Sequence, residues 1–143
     1  MLVPVTGAHE ILTIRTAGRG LTDVTARVAA VVSAAGVREG QCLVFCQHTS
    51  CSLLLAENAS PDAAADLMDF LLRVAPDGDP SYRHVDEGPD DMAAHLRSAL
   101  TRTSETLPVL GGRLALGTWQ GLFLLEHRLR GSARRLVVQV SGA

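Results

Sequence analysis

The last third of this 143-residue chain consists of apolar segments of strand length joined by short connections. Such segments cover residues 103–109, 113–125 and 136–140, and a Gly111-Gly112 pair typical of a hairpin turn separates the first two. A parallel neighbour would need a connection of a dozen or more residues, so these segments are expected to pair antiparallel. The sequence therefore predicts a largely antiparallel sheet.

Three helices are predicted ahead of this sheet. The first follows a cap at Thr22 or Asp23 and ends at Gly36. The second begins at Pro61 and the third at Pro89, because proline is favoured in the first turn, where its missing N–H is not needed. Further strands are expected over residues 11–14, 42–47 and 52–56. This order predicts an α+β fold, in one domain over residues 1–143.

Composition excludes several classes of function. All 13 basic residues are arginines, so Schiff-base chemistry and a P-loop lysine are ruled out. The net charge is −2 and aromatic residues are only 3%, which argues against a nucleic-acid partner. No apolar run approaches the roughly 18 residues of a membrane span, and no signal peptide opens the chain. We therefore expect a cytoplasmic protein without a membrane partner.

Charge is divided unevenly along the chain. Residues 57–91 hold ten acidic residues and two arginines, whereas residues 97–135 hold seven arginines and two glutamates. One interpretation is that the two segments form solvated faces that complement each other. The other is an acidic metal-binding segment that faces an arginine-rich segment able to bind anions.

Three of the five histidines, His48, His84 and His95, follow or precede polar, acid-rich segments at the ends of predicted elements. Asp91 and His95 are four residues apart on the third predicted helix, so both side chains share one face and could hold one ion. Three imidazoles with a carboxylate suit zinc or a similar divalent metal with an open position for water. The alternative is a set of surface or hydrogen-bonded histidines that bind no metal.

Other candidate site residues each have two interpretations. Glu126 could be a general base or a carboxylate behind the site, or simply a solvated strand end. Asn58 stands beside the start of the second helix, which could bind an anion or be no more than a capping turn. Trp119 lies between glycines in a strand-rich segment and could line a pocket or pack in the core.

The three cysteines fall within ten residues and are odd in number, which favours reduced thiols over a disulfide framework. Cys42 and Cys46 alternate with apolar residues on a predicted strand, so we expect both to be buried and inert. Cys51 follows His48 closely and is expected to be the most reactive of the three.

Seven short motifs, spread over roughly residues 11–140, together resemble the YjbQ-like family, which is described as a family of secondary thiamine-phosphate synthases. They are His48-Thr49-Ser50, Glu57-Asn58-Ala59, Pro61-Asp62, Tyr82-Arg83-His84, Ala94-His95-Leu96, Gly111-Gly112-Arg113-Leu114 and Leu116-Gly117-Thr118-Trp119-Gln120-Gly121. Two segments depart from the family pattern: residues 126–131, where many relatives carry a Glu-Phe-Asp-Gly-Pro type of turn, and residues 86–91, which are more acidic than usual.

The resemblance implies a curved sheet, a homotrimer and a histidine-containing site. It favours His48, His84 and His95 as ligands of a divalent metal, either zinc or magnesium. The implied reaction joins a pyrimidine pyrophosphate to a thiazole phosphate and releases pyrophosphate, so the partner would be a small phosphorylated substrate.

Candidate roles for the remaining residues follow from this reaction. Catalytic roles fall to His48, Asp91 and Glu126. Residues expected to bind substrate are Thr49, Ser50, Asn58, Trp119, Arg128, Arg134 and Arg135, with the arginines as planar donors to phosphate. Two other functions remain open: a metal-dependent hydrolase, and a trimeric metal- or ligand-binding protein without catalysis.

Overall fold

Two antiparallel sheets and three helices make up the part of the chain that the computed structural model describes, which is residue 4 and residues 6–143. In chain order the elements are β1 (Thr6–Arg15), β2 (Gly20–Asp23), α1 (Thr25–Ala35), β3 (Glu39–Cys46), β4 (Cys51–Glu57), α2 (Pro61–Val74), α3 (Asp91–Leu100), β5 (Ser104–Leu110), β6 (Arg113–Leu114), β7 (Gln120–Glu126) and β8 (Ala133–Gly142). This confirms the predicted α+β class and the number of helices.

The larger sheet has the strand order β1-β8-β3-β5-β6, and the smaller sheet has the order β2-β7-β4. Neighbouring strands are antiparallel in both sheets. The core lies between the sheets and α1, and it is built mainly from valine and leucine, with representatives such as Val28, Val44, Leu53, Leu124 and Val138. The smaller sheet is buried on both faces, because Leu122 and Leu124 of β7 belong to this core while Phe123 and Leu125 pack with Leu71 of α2 in a second cluster.

Local signals placed the helices well. The helix α1 ends at Gly36, whose φ of 69° lies in the left-handed region that favours glycine. The helix α2 begins at Pro61, as predicted, whereas α3 begins at Asp91, two residues after the predicted start at Pro89. The prediction was wrong at the start of α1, because residues 20–23 form the short strand β2. The side chain of Asp23 instead accepts a hydrogen bond from the backbone N–H of Thr25, the first residue of the helix.

The prediction of one strand over residues 113–125 was also wrong. The structure divides this segment into β6, which pairs with β5, and β7, which belongs to the other sheet. A turn separates the two strands: the N–H of Gln120 donates to the carbonyl of Gly117, and the Gln120 side chain accepts from the Gly117 N–H. Local apolar character could not reveal this turn, because it depends on which sheet each half joins.

None of the helices in the described residues is long and apolar enough to cross a membrane.

Candidate metal and anion site

The loop between β3 and β4 meets α3 at one end of the two sheets. This loop, residues 47–50, carries His48, Thr49 and Ser50. The end of β7 and the start of β8 lie at the same end of the sheets, since Cys51 pairs with Glu126 and Cys46 pairs with Leu136. A cavity of about 600 Å³ opens here, which we call the histidine cavity; its lining residues include His48, Thr49, His84, Met92, His95 and Ser98.

Two histidines and one aspartate converge at this cavity. The Nε2 atoms of His84 and His95 lie 2.9 Å and 3.1 Å from the same carboxylate oxygen of Asp91, Oδ2. One potential ligand atom from each of the three residues lies within 4.8 Å of the other two. Asp91 and His95 are neighbours on α3, and His84 reaches them from the loop that precedes the helix.

The hydrogen bonding of His95 shows how its ring is oriented. Its Nδ1 atom lies 2.9 Å from the carbonyl oxygen of Thr49, which can only accept, so Nδ1 carries the proton. In the neutral ring Nε2 is then an acceptor, and it faces Asp91 Oδ2, which is also an acceptor. His95 Nε2 and Asp91 Oδ2 therefore share either a proton, as an imidazolium–carboxylate pair, or a metal ion. A histidine whose second nitrogen donates to a backbone carbonyl is the usual arrangement at metal sites.

Asp91 is held as a charged carboxylate in a fixed position. Its side chain is buried, and Arg128 donates a hydrogen bond to Oδ1, the carboxylate oxygen that faces away from the histidines. Burial opposes ionisation, but the hydrogen bonds from the histidines and the charge of Arg128 outweigh it and hold the pKa of Asp91 below its usual value. Arg128 also binds Asp90 and the carbonyl of Glu87, so its guanidinium serves to hold the acidic end of α3.

These three residues fit a zinc ion. Bonds of about 2.0–2.1 Å in a tetrahedron place neighbouring ligand atoms about 3.3 Å apart, close to the two distances at Asp91. Three protein ligands leave the fourth position for water or substrate, as in catalytic zinc sites. Two imidazoles match zinc better than magnesium, which prefers oxygen ligands.

His48 lines the same cavity but lies outside the cluster formed by His84, Asp91 and His95. Its Nε2 atom accepts a hydrogen bond of 2.8 Å from the backbone N–H of Arg135. Burial and the charge of Arg134 lower the pKa of His48, and Nη1 of Arg134 lies 3.4 Å from the His48 Nδ1. The sequence had grouped His48 with the other two histidines, whereas the structure puts Asp91 in the third position.

Glu126 is buried in an ion pair rather than exposed in the cavity. One carboxylate oxygen accepts hydrogen bonds from Thr16 at 2.6 Å and from the Arg134 Nε at 2.8 Å, and the other accepts from Arg134 Nη2 and the Arg128 N–H. Arg134 in turn donates to the Ser50 hydroxyl at 3.1 Å. Glu126 therefore positions the loop through Arg134. Sequence reasoning did not single out Thr16, because no local pattern marks it.

Asn58 and Trp119 lie at the opposite end of β4 and β7 from the histidine cavity. Glu57 pairs with Gln120 there, six residues along β4 from the Cys51–Glu126 pair, which corresponds to about 20 Å of strand. The Asn58 side chain donates to the carbonyls of Thr118 and Gln120, so it holds a turn. Trp119 is 66% exposed. Within one chain, the structure does not bring these two residues to the histidines.

Two buried polar residues, Arg97 and His127, lie behind the site. Arg97 is fully buried and donates to the carbonyls of Ala75 and His127 and to the carboxylate of Asp77. His127 is also fully buried, and its Nε2 lies 2.8 Å from the Ser52 hydroxyl. Neither residue type is expected in a core, so only tertiary contacts could reveal them.

Burial of His127 predicts a loss of stability in acid. Burial, followed by the nearby charge of Arg97, lowers its pKa from 6.5 to about 3; Glu126, Arg134 and Arg19 also act on it. Below pH 6.5, His127 therefore binds a proton in the unfolded chain but stays neutral in the folded chain until the pH approaches 3. This difference alone removes about 2 kcal/mol of unfolding free energy at pH 5.

We expect His127→Gln to reduce this loss, because glutamine does not titrate. Urea unfolding at pH 7 and pH 5 measures the unfolding free energy at each pH, and His9→Gln, at an exposed position of β1, is the control. Equal losses between the two pH values in His127→Gln and the wild type would contradict the assignment.

The prediction for the cysteines was wrong for Cys51. All three thiols are buried, and the hydrogen bond to Cys46 and burial raise the pKa of Cys51. Burial raises the pKa of Cys42 to about 11. The hydrogen bond with Cys51 lowers the pKa of Cys46, so the thiol that favours the thiolate is Cys46.

Comparisons with known proteins agree on one family. The model of the family described as "UPF0047 protein YjbQ-like" matches residues 10–143. A UPF0047 protein of Synechocystis sp. is 52% identical over 134 residues, covering 94% of this chain and 91% of that protein. The UPF0047 protein YjbQ of Escherichia coli O157:H7 is 40% identical over 135 residues, covering 94% and 97%.

Solved structures of similar proteins share this fold. A YbjQ-like protein of unknown function from Sulfolobus solfataricus superimposes with a TM-score of 0.90 at 25% identity, covering 98% of this chain and 100% of that one. A conserved hypothetical protein from Thermus thermophilus superimposes with a TM-score of 0.81 at 36% identity, covering 90% and 97%. The chain therefore belongs to the UPF0047 YjbQ-like family.

Proposed function

We propose that this protein is a cytoplasmic, metal-dependent transferase that resembles thiamine-phosphate synthase. The observation that carries the proposal is the cluster of His84, Asp91 and His95, in which both imidazoles converge on one carboxylate oxygen beside an open cavity. His84, Asp91 and His95 would hold a divalent ion, which would supply a Lewis acid for a phosphorylated substrate. The match of seven motifs to the family supports this particular reaction over other uses of a metal.

In the proposed reaction, the C–O bond between the pyrimidine methylene and pyrophosphate breaks, and a C–N bond to the thiazole nitrogen forms. Negative charge grows on the departing pyrophosphate, so fixed positive charge and hydrogen-bond donors lower the barrier. Arg135 is exposed at the start of β8, beside His48, and is available for an anion. Thr49, at the wall of the histidine cavity, is a further candidate donor.

The other candidate arginines have different roles in this proposal. Arg128 and Arg134 are engaged with carboxylates, so they fix Asp91 and the loop bearing Ser50 rather than clamp a phosphate. Glu126 acts with Arg134 as a positioning residue. Asn58 and Trp119 would reach the substrate only across a boundary between two copies of the chain, since they lie at the far end of β4 and β7.

A metal-dependent hydrolase is the second candidate. It is favoured by the number of protein ligands, since three leave one position for a water whose pKa zinc lowers to about 7. The hydrolase would release phosphate or pyrophosphate from the pyrimidine substrate when no thiazole phosphate is present. The transferase would require both substrates.

Incubation with the two thiamine precursors tests the proposal. We expect product with zinc or magnesium added, and at least a 100-fold lower rate for Asp91→Asn, whose amide cannot serve as an anionic ligand. Asp66→Asn, an exposed position on α2, is the matched control and should leave the rate unchanged. Metal bound without turnover of any of these substrates would overturn catalysis and favour the binding role.

The outer face of the larger sheet supports assembly into a homotrimer. Ile11, Val137 and Phe45 lie in one row across β1, β8 and β3. Ile11 is 45% and Phe45 is 42% exposed, and an apolar row on a solvent-facing sheet favours self-association. The number three comes from the family resemblance.

We expect light scattering to give three times the 15.1 kDa of one chain, and Phe45→Glu to give a smaller species. A wild-type mass of one chain would contradict the trimer. Thr106→Glu, on the same exposed sheet face but away from this row, is the control.

A further inference from the structure

Two of the three cysteines touch at the base of the loop that carries His48. Cys46 is the last residue of β3 and Cys51 the first of β4, and their Sγ atoms are 3.3 Å apart. A disulfide has an S–S length of about 2.05 Å, so the sulfurs need to approach by little more than 1 Å. We propose that Cys46 and Cys51 form a site of reversible oxidation, at which a small hydroperoxide joins them in a disulfide.

The surroundings assign different roles to the two thiols. Both are buried, but Cys46 contributes to the lining of a second, shallow cavity of about 600 Å³ that is shared with His48, Thr49 and Thr103. Cys51 does not line this cavity. Cys46 is therefore the cysteine of the pair that lies next to a cavity which a peroxide molecule, not much larger than water, can enter. The lowered pKa of Cys46 agrees with a first attack by this thiol.

The chemistry balances with hydrogen peroxide as the oxidant. The Cys46 thiolate attacks one peroxide oxygen, the O–O bond breaks, and Cys46 sulfenic acid and hydroxide form. The Cys51 thiol then attacks the sulfenic sulfur, the S–S bond forms, and water leaves with the sulfenic oxygen. Two thiols lose two electrons and two protons in total, and one peroxide becomes two waters.

The third cysteine provides an internal comparison. Cys42 is also buried on β3, but the sulfur contact in the described residues joins only Cys46 and Cys51. Without a neighbouring thiol, Cys42 has no partner for the second step. The proposal therefore predicts that oxidation stops after two of the three thiols.

The bridge would tie the two ends of the loop over residues 47–50. That loop carries His48 and the Thr49 carbonyl, which accepts the hydrogen bond from His95 Nδ1. The oxidised and reduced proteins would thus differ at the wall of the histidine cavity. The bridge itself depends only on the sulfur geometry, so its test is independent of the proposed transferase activity.

The test is a thiol count after brief treatment of the native protein with hydrogen peroxide. We expect titration in denaturant to fall from three thiols to one, the mass of the intact chain to drop by about 2 Da, and dithiothreitol to restore both. Peptide mapping without reductant should join the segments that contain Cys46 and Cys51. Three remaining thiols, a bridge that includes Cys42, or irreversible oxidation of Cys46 would each overturn the proposal.

Single variants separate the two steps. Cys42→Ala should fall from two thiols to none, at the wild-type rate. Cys51→Ala should stop at a Cys46 sulfenic acid that a dimedone probe traps, and Cys46→Ala should keep both of its thiols. Loss of thiols in Cys46→Ala at the wild-type rate would show that the first attack does not occur at Cys46, and the proposal would fail.

Discussion

Replacement of His95 with alanine is expected to weaken zinc binding at least 100-fold. His95 would supply one of three ligand atoms, and the contact of its Nδ1 with the Thr49 carbonyl orients the ring. Loss of a residue that only orients a ligand already costs about 10–100-fold in affinity, so loss of the ligand itself should cost more. Competition with a chromophoric chelator measures the affinity, and elemental analysis of the purified protein measures retention.

Three variants make this result specific. His84→Ala should lose zinc in the same way, whereas His9→Ala, on exposed β1, should not. His48→Ala distinguishes two candidate ligand sets: the three histidines predicted from the sequence, and the cluster of His84, Asp91 and His95 in the structure. We expect its zinc affinity to stay within about threefold of the wild type, because the N–H of Arg135 already occupies the His48 Nε2. Equal losses in His48→Ala and His95→Ala would contradict the cluster centred on Asp91.

Replacement of Glu126 with leucine is expected to lower the unfolding free energy by about 3–5 kcal/mol, the usual cost of leaving one buried charge without its partner. Glu126 is fully buried and holds Arg134 through both carboxylate oxygens. Without it, Arg134 stays buried beside Ser50 with its charge uncompensated. Thr16 and the Arg128 N–H also lose an acceptor.

Denaturant unfolding in the presence of a chelator measures this change without a contribution from bound metal. The double variant Glu126→Leu with Arg134→Met should recover part of the loss, because it removes both charges together. Glu10→Leu, on exposed β1, is the control for the change in composition. A change below about 1 kcal/mol for Glu126→Leu would show that the pair is solvated and would remove its role in positioning the loop.

The local sequence determined much of the fold. Helix ends are set by backbone φ and by missing donors, so Gly36 and Pro61 marked them correctly. The short Gly111-Gly112 connection required antiparallel pairing of β5 with β6, whereas β7 and β8 follow each other closely but lie in different sheets. Asp91 and His95 were also predictable as a pair, because residues four apart on a helix share a face whatever the helix packs against.

Only the tertiary structure decided how the rest of the site is assembled. His84 reaches Asp91 from a loop, and His48 turns to the backbone of β8 instead, although both are histidines in similar polar segments. Asn58 and Trp119 were grouped with the site by their motifs, but the length of β4 and β7 separates them from it within one chain. Which side chains meet depends on strand register and sheet assignment. Strand register and sheet assignment are set by long-range packing of the whole core, and a local sequence pattern does not contain that information.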